Sequence, residues 1–169
     1  MSTTDASTTD HYPVAAIISD DQVPAVHIWR DVHATPEQVM RAHTDPELFA
    51  RWIGPHDLTT RIDVWDCRTL GSYRYVQTDG DEEYAFRGTF PEVSERRIVQ
   101  TFCYEPWPQS IALETLTLTD LEDGRTRLHG FSLCGSFEDR DAMVASGMEQ
   151  GIHEGYEKLD ALLTEGEPT

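Results

Sequence analysis

Between Leu58 and Leu133 the chain reads as six successive stretches of alternating side chains with no helical segment among them. They run Thr59 to Cys67, Ser72 to Thr78, Tyr84 to Val93, Ile98 to Tyr104, Ile111 to Thr119 and Thr126 to Leu133. A period of two is that of a half-buried strand. The breaks carry turn chemistry, at Leu70-Gly71, Asp79-Gly80-Asp81, Ser94-Glu95 and Asp123-Gly124. Parallel pairing would need a crossover of about a dozen residues or more between successive strands, usually a helix. With none present, the six strands form an antiparallel meander.

The flanks add one strand and the helices. In Val26 to His33, the residues Val26, Ile28 and Val32 alternate with His27, Trp29 and Asp31. Two short helices follow. Thr35, Pro36 and Gln38 make a capping box with proline in the first turn; Asp45-Pro46-Glu47 repeats the start signal, and Gly54-Pro55 stops the second helix. After Ser136, with Asp139 three residues on, the pattern is helical to about Thr164, with Gly166 and Pro168 beyond it. Read as one element, such a helix is roughly 40 Å long. Met148, Ile152, Tyr156, Leu159 and Leu163 recur at steps of three and four and mark the face turned to the sheet. The class is therefore α+β, one domain over residues 22–169. Residues 1–21, rich in Ser, Thr and Asp, read as a mobile tail in which Val14 to Ile18 could dock as an edge strand.

Composition excludes several functions. No apolar run approaches the roughly 18 residues needed to span a bilayer, and the N-terminus lacks the features of a secretory signal, so a cytoplasmic location is expected. A net charge of -18, from 31 acids against 13 bases with Lys158 the single lysine, repels phosphate backbones. Neither nucleic acid nor an anionic membrane is an expected partner. Cys67, Cys103 and Cys134 form no C-x-x-C pair and read as reduced thiols. His153-Glu154 lacks a second histidine four residues after the first, so no metal motif is present; Ser132 and Ser146-Gly147 lie in no G-x-S-x-G elbow. No cofactor is expected.

Three groups of residues carry a resemblance. Ala34-Thr35-Pro36-Glu37-Gln38-Val39, Thr44-Asp45-Pro46-Glu47-Leu48 and Arg51-Trp52-Ile53-Gly54-Pro55 resemble the start of START/polyketide-cyclase-like (SRPBCC) domains. The branch they resemble is that of the activator of heat-shock-protein-ninety ATPase homologues. Tyr84 to Phe90, Arg96 to Phe102 and Gly147 to Gly151 resemble the family's middle and C-terminal signatures. The resemblance covers about residues 26–163 and implies the helix-grip fold, a curved sheet wrapped about a long C-terminal helix. Relatives bind lipids, hormones or polyketides, some cyclise substrates, and the namesake branch assists a chaperone. No universal catalytic residue carries over.

Alternation sends Tyr73, Tyr75, Phe86, Phe90, Phe102, Tyr104, Leu116 and Leu118 to the concave face, where they form either a dry core or the wall of a pocket. Gly147, Gly151 and Gly155, four apart, each cost about 1 kcal/mol against alanine within a helix. Such a row makes room for a ligand, for close backbone packing or for a second subunit. Glu114 is in phase with Leu116 and must be paired, hydrated or protonated if it points inward; Arg74 and Arg87 are its candidate ion-pair partners. Trp52 stands at the pocket mouth by resemblance, or anchors its helix. Met143 and Met148 complete the expected lining. The leading expectation is a non-catalytic module binding a small apolar or amphipathic molecule. A cyclase- or dehydratase-like enzyme using Glu114 or a tyrosine hydroxyl, and a chaperone partner, are the rivals; a homodimer is the favoured assembly.

Overall fold

The computed structural model describes residues 11–165. Among these the elements are β1 (Ala16–Ser19), β2 (Ala25–Val32), α1 (Pro36–Thr44), α2 (Pro46–Trp52), β3 (Thr59–Trp65), β4 (Gly71–Asp79), β5 (Glu82–Phe90), β6 (Glu92–Val93), β7 (Arg97–Tyr104), β8 (Ile111–Asp120), β9 (Thr126–Leu133), α3 (Phe137–Ala145) and α4 (Met148–Thr164). The sheet runs β1-β2-β9-β8-β7-β5-β4-β3 and is antiparallel throughout. The expected meander is present, and β2 closes on β9 from the far end of the sequence. This is the helix-grip arrangement.

Local chemistry sets the ends of the first helices as expected. The Thr35 hydroxyl accepts from Gln38 N–H while the Gln38 side chain accepts from Thr35 N–H, and Asp45 accepts from the N–H groups of Glu47 and Leu48. The segment that was open between tail and edge strand docks. β1 pairs with β2 in register from Ala16 with Trp29 to Ser19 with Val26. The first ten residues of the expected tail lie outside the described residues. The expected strand Tyr84 to Val93 is divided at Pro91, which has no N–H to give a ladder, and the short β6 beyond it pairs with β7 alone.

The expected single C-terminal helix is two helices. Ser136 caps α3 by accepting from Asp139 N–H, and α3 ends at Ser146, whose N–H and hydroxyl both reach the Met143 carbonyl. Gly147 follows at φ 90°, the left-handed conformation that commonly stops a helix. The spacing of four linking Gly147 to Gly151 and Gly155 made it look like a helix-interior residue, whereas it is the break itself. The other two glycines serve close packing. A Cβ at Gly155 would stand 3.3 Å from the Trp52 carbonyl oxygen, and one at Gly151 would stand 3.6 Å from Pro55 Cδ. They let α4 lie against the end of α2, its closest helical neighbour. The notch faces a helix terminus and not the sheet, so it contributes no volume to a pocket there. Gly155→Leu is expected to cost about 2 kcal/mol or more by overpacking, while Gly155→Ala stays near neutral as helix propensity offsets a slightly tight contact. Urea denaturation of the two variants decides; an unperturbed leucine variant would show that α4 can shift off α2.

Two separate cores result. One, on the helix side, unites Val39, Ala42, Trp52, Leu118, Leu128 and Leu159. The other, on the sheet, unites Tyr73, Tyr75, Phe90 and Ile98. Met40, Phe49 and Leu116 pack against both and bridge them.

Candidate functional site

Strand register brings three polar residues into one row across the inner face. Gln100 on β7 is opposite Glu114 on β8, which is opposite Ser132 on β9. Glu114 Oε1 accepts from Gln100 Nε2 at 3.0 Å and Oε2 accepts from Ser132 Oγ at 3.0 Å. The arginines considered as partners are elsewhere. Arg74 alternates to the other face with respect to Tyr73 and Tyr75, where it is bidentate to Glu105 at 2.7 and 2.9 Å, and Arg87 is exposed. Burial pushes the Glu114 carboxyl up from its usual value, and the two hydrogen bonds oppose this only in part.

Aromatic rings surround this row. Tyr73 stacks on Tyr75 at 6.0 Å, Tyr75 on Phe86 at 5.3 Å, and Phe86 on Phe102 at 5.3 Å, with Tyr104 5.2 Å from Phe86. The Tyr73 hydroxyl donates to the Thr101 carbonyl at 2.6 Å. That bond crosses bare backbone, since a Cβ at Gly88 would meet the Thr101 oxygen at 1.9 Å and the Tyr73 ring at 2.7 Å. From the helices, Phe49 meets Tyr75 edge-on at 5.5 Å, and Tyr156 of α4 stacks at 6.2 Å on Trp52. Burial raises the phenols of Tyr73, Tyr75 and Tyr156, the last to about 12, and the nearby Glu114 charge raises them further. They stay protonated around the acid.

The degree of burial is uneven. Tyr73 and Tyr75 are buried, but Phe86, Phe102, Tyr104, Glu114, Leu116 and Tyr156 keep intermediate exposure although they lie on the inner face. Trp52 belongs to the helix-side core, 5% exposed, with its Nε1–H donating to the Ala42 carbonyl at 2.8 Å; it stands one ring behind Tyr156. Met143 on α3 and Met148 at the start of α4 are half-buried and belong to neither core. Gly147 faces open space and Gly151 faces Pro55.

Gln100, Ser132 and Tyr156 were not expected in the site. The signal for the first two was present, because each is a polar residue on the inward phase of its strand. Recognising their pairing required the register. A surface cleft of about 210 Å³ lies apart from all of these, lined by His11, Arg30, Asp31, Arg125 and Asp160 among others. Its charges are matched internally, Arg30 with Asp160, Asp31 with Arg127 and Arg125 with Asp123. Among the described residues no group of three or more His, Cys, Asp or Glu could hold a metal ion, and no helix is long and apolar enough to cross a membrane.

A raised carboxyl pKa costs stability wherever the folded carboxylate is ionised, so the penalty grows as pH rises above the ordinary value of 4.5. Glu114→Gln keeps the shape without the charge, its amide oxygen accepting from Gln100 and its amide N–H donating to the Ser132 hydroxyl. It is expected to match the wild type near pH 4 and to melt at a higher temperature near pH 8. A variant that melted lower at the higher pH would mean that the charge is compensated in the folded state.

Comparison with solved structures finds close likenesses in fold. A protein from Rhodobacter sphaeroides superposes with a TM-score of 0.81 at 26% identity, over 90% of this chain and 99% of that one. One from Arthrobacter aurescens gives 0.81 at 25% identity, over 90% and 93%. One from Mycobacterium smegmatis gives 0.79 at 23% identity, over 90% and 99%. Comparison with functionally curated proteins finds no match. The sequence profile of the "Activator of Hsp90 ATPase homolog 1-like protein" family matches residues 33–164, the span from the end of β2 to the last turn of α4, and the chain belongs to that family.

Proposed function

We propose that the protein is a non-catalytic receptor for a small, largely apolar molecule held on the inner face of the sheet, between the ring ladder of β4, β5 and β7 and Tyr156 of α4. The supporting observation is the division of the interior. Inward side chains in the middle of a sheet are ordinarily lost from solvent in a close-packed core. Here Phe86, Phe102, Tyr104 and Glu114 retain accessible surface on the inner face, beside two cores that share Met40, Phe49 and Leu116 among the described residues. An apolar wall with a few convergent polar groups is the common composition of a ligand site. Three free cysteines among the described residues suit a reducing, cytoplasmic setting.

A thermal-shift screen against lipids, flavonoids and polyketides tests this. A ligand present at about 100 times its dissociation constant adds about 2.7 kcal/mol, a rise of several degrees in melting temperature for a chain of this length. No shift with any of the three classes would remove the receptor reading.

The raised Glu114 carboxyl beside protonated phenols favours one rival, an enzyme in which this acid moves a proton on a polyketide or aromatic substrate. Turnover of a ligand found by the screen, abolished in Glu114→Gln, would select it. A chaperone-partner role would instead show as stimulation of a chaperone ATPase with no ligand effect.

A further inference from the structure

Asp31, buried between β2 and β9, has Arg127 on it, bidentate at 2.8 and 3.0 Å. Glu114 has only an amide and a hydroxyl. Both partners donate, one to each oxygen, so the hydrogen bonds fit a carboxylate that accepts on both sides. No arginine, lysine or histidine among the described residues makes an ion pair with Glu114. The guanidinium of Arg30, 5.8 Å from the Tyr156 ring centre, is committed to Asp160. Tyr73, Tyr75 and Tyr156 lie close enough for the Glu114 charge to raise their phenols, and Phe86 and Phe102 continue the stack from Tyr75.

We infer that the molecule taken by this site is a hydrophobic cation, an aryl or alkyl amine whose protonated nitrogen sits against Glu114 while its apolar body lies among the rings. This rests on the receptor reading above and narrows it. Three features of the site select positive charge and reject its opposite. A carboxylate out of bulk water without a counter-ion is the group that a desolvated ammonium compensates best. Aromatic faces attract cations through their quadrupole, more strongly when water is excluded. A net charge of -18 raises the local concentration of cations around the molecule and lowers that of anions. A fatty acid or acyl phosphate would place a second negative charge beside Glu114.

Three isosteric probes test the inference: 1-naphthylmethylamine, which is protonated at neutral pH, 1-naphthylmethanol and 1-naphthoate. Calorimetric titration of the wild-type protein is expected to show one site that takes the amine roughly tenfold or more tightly than the alcohol, with no detectable binding of the carboxylate. The preference should persist in about 0.5 M salt, because a shielded pair is screened far less than the acidic surface. Glu114→Gln should bring amine and alcohol to within about twofold of each other. Equal binding of amine and alcohol by the wild type would overturn the cation preference and leave the receptor standing. Binding of none of the three would overturn the inference, and with a blank ligand screen the receptor as well. The wild-type ratio of amine to alcohol needs no variant, so it decides even if the glutamine protein folds poorly.

Discussion

Asp31→Ala is expected to lose about 3–5 kcal/mol of unfolding free energy, the usual cost of breaking its buried ion pair with Arg127 from one side. The two side chains face each other across β2 and β9, 1% and 6% exposed. Asp31 also accepts from Tyr12 N–H at 3.1 Å and contacts the His11 ring at 3.2 Å, while the Arg127 guanidinium lies 5.0 Å from the Tyr12 ring centre. Alanine at position 31 would take the bidentate carboxylate from Arg127 under this cover and release the segment that leads into β1. A domain of this size has about 5–15 kcal/mol in total, so the variant should be visibly destabilised in urea, with faster amide exchange through β1. A loss below about 1 kcal/mol would mean that Arg127 reaches water without its partner.

The same pair shapes the acid limb of the stability curve. Burial alone would raise the Asp31 carboxyl, but Arg127, Tyr12 N–H and His11 outweigh it and hold the pKa below its usual 3.8. The unfolded chain therefore takes up this proton first. Its contribution is complete above the unfolded pKa and is lost as pH falls through that value toward the folded one. His43 and His129 act one window higher. Burial lowers each to about 4, with the His27 ring adding to the effect on His129, so each favours the folded state fully above 6.5 and loses that contribution between 6.5 and 4. Unfolding free energy in the wild type should decline in two stages on acidification, and the lower one should be smaller in the Asp31→Ala protein, where Asp20, Asp63 and Glu105 remain lowered.

Trp52→Ala is expected to cost about 3–5 kcal/mol, as for other large rings removed from a packed interior. The indole meets His43 edge-on at 4.8 Å and Phe49 at 5.6 Å, stacks on Tyr156, and holds the α1 carbonyl of Ala42 through its N–H. It thereby ties α1, α2 and α4 together. Trp52→Phe keeps most of the ring contact and loses the hydrogen bond, for about 1 kcal/mol. Equal losses in the two variants would place the energy in the hydrogen bond and not in the packing. Because Tyr156 rests on Trp52, the alanine variant should also weaken any ligand bound on the inner face, while the phenylalanine variant leaves it nearly unchanged.

Much of this architecture could be read from the residues. The alternation of Tyr73 with Tyr75 and of Phe102 with Tyr104, the capping box at Thr35 and the start signal at Asp45-Pro46 depend on neighbours two to four positions apart, and such local rules hold whatever the rest of the chain does. Glu114 was legible as an inward acid for the same reason. Its partners were not, because Gln100 and Ser132 are 14 and 18 positions away and become neighbours only when the register of β7, β8 and β9 is set. The glycines of the last helices show the limit most clearly. A spacing of four states that they share a helical face, yet it cannot state what stands opposite.

By itself, then, the sequence determined the order of elements, the antiparallel meander and which side of each strand turns inward. Those properties follow from local backbone sterics and from the need to bury one face. Tertiary structure alone decided that Gly147 ends a helix, that Gly155 receives the end of α2, and that Arg74 goes to Glu105 while Glu114 is left without a cation. Each of these outcomes depends on which surfaces meet in space, and contacts between residues far apart in the chain are chosen by the packing of the whole and not by any short stretch of it.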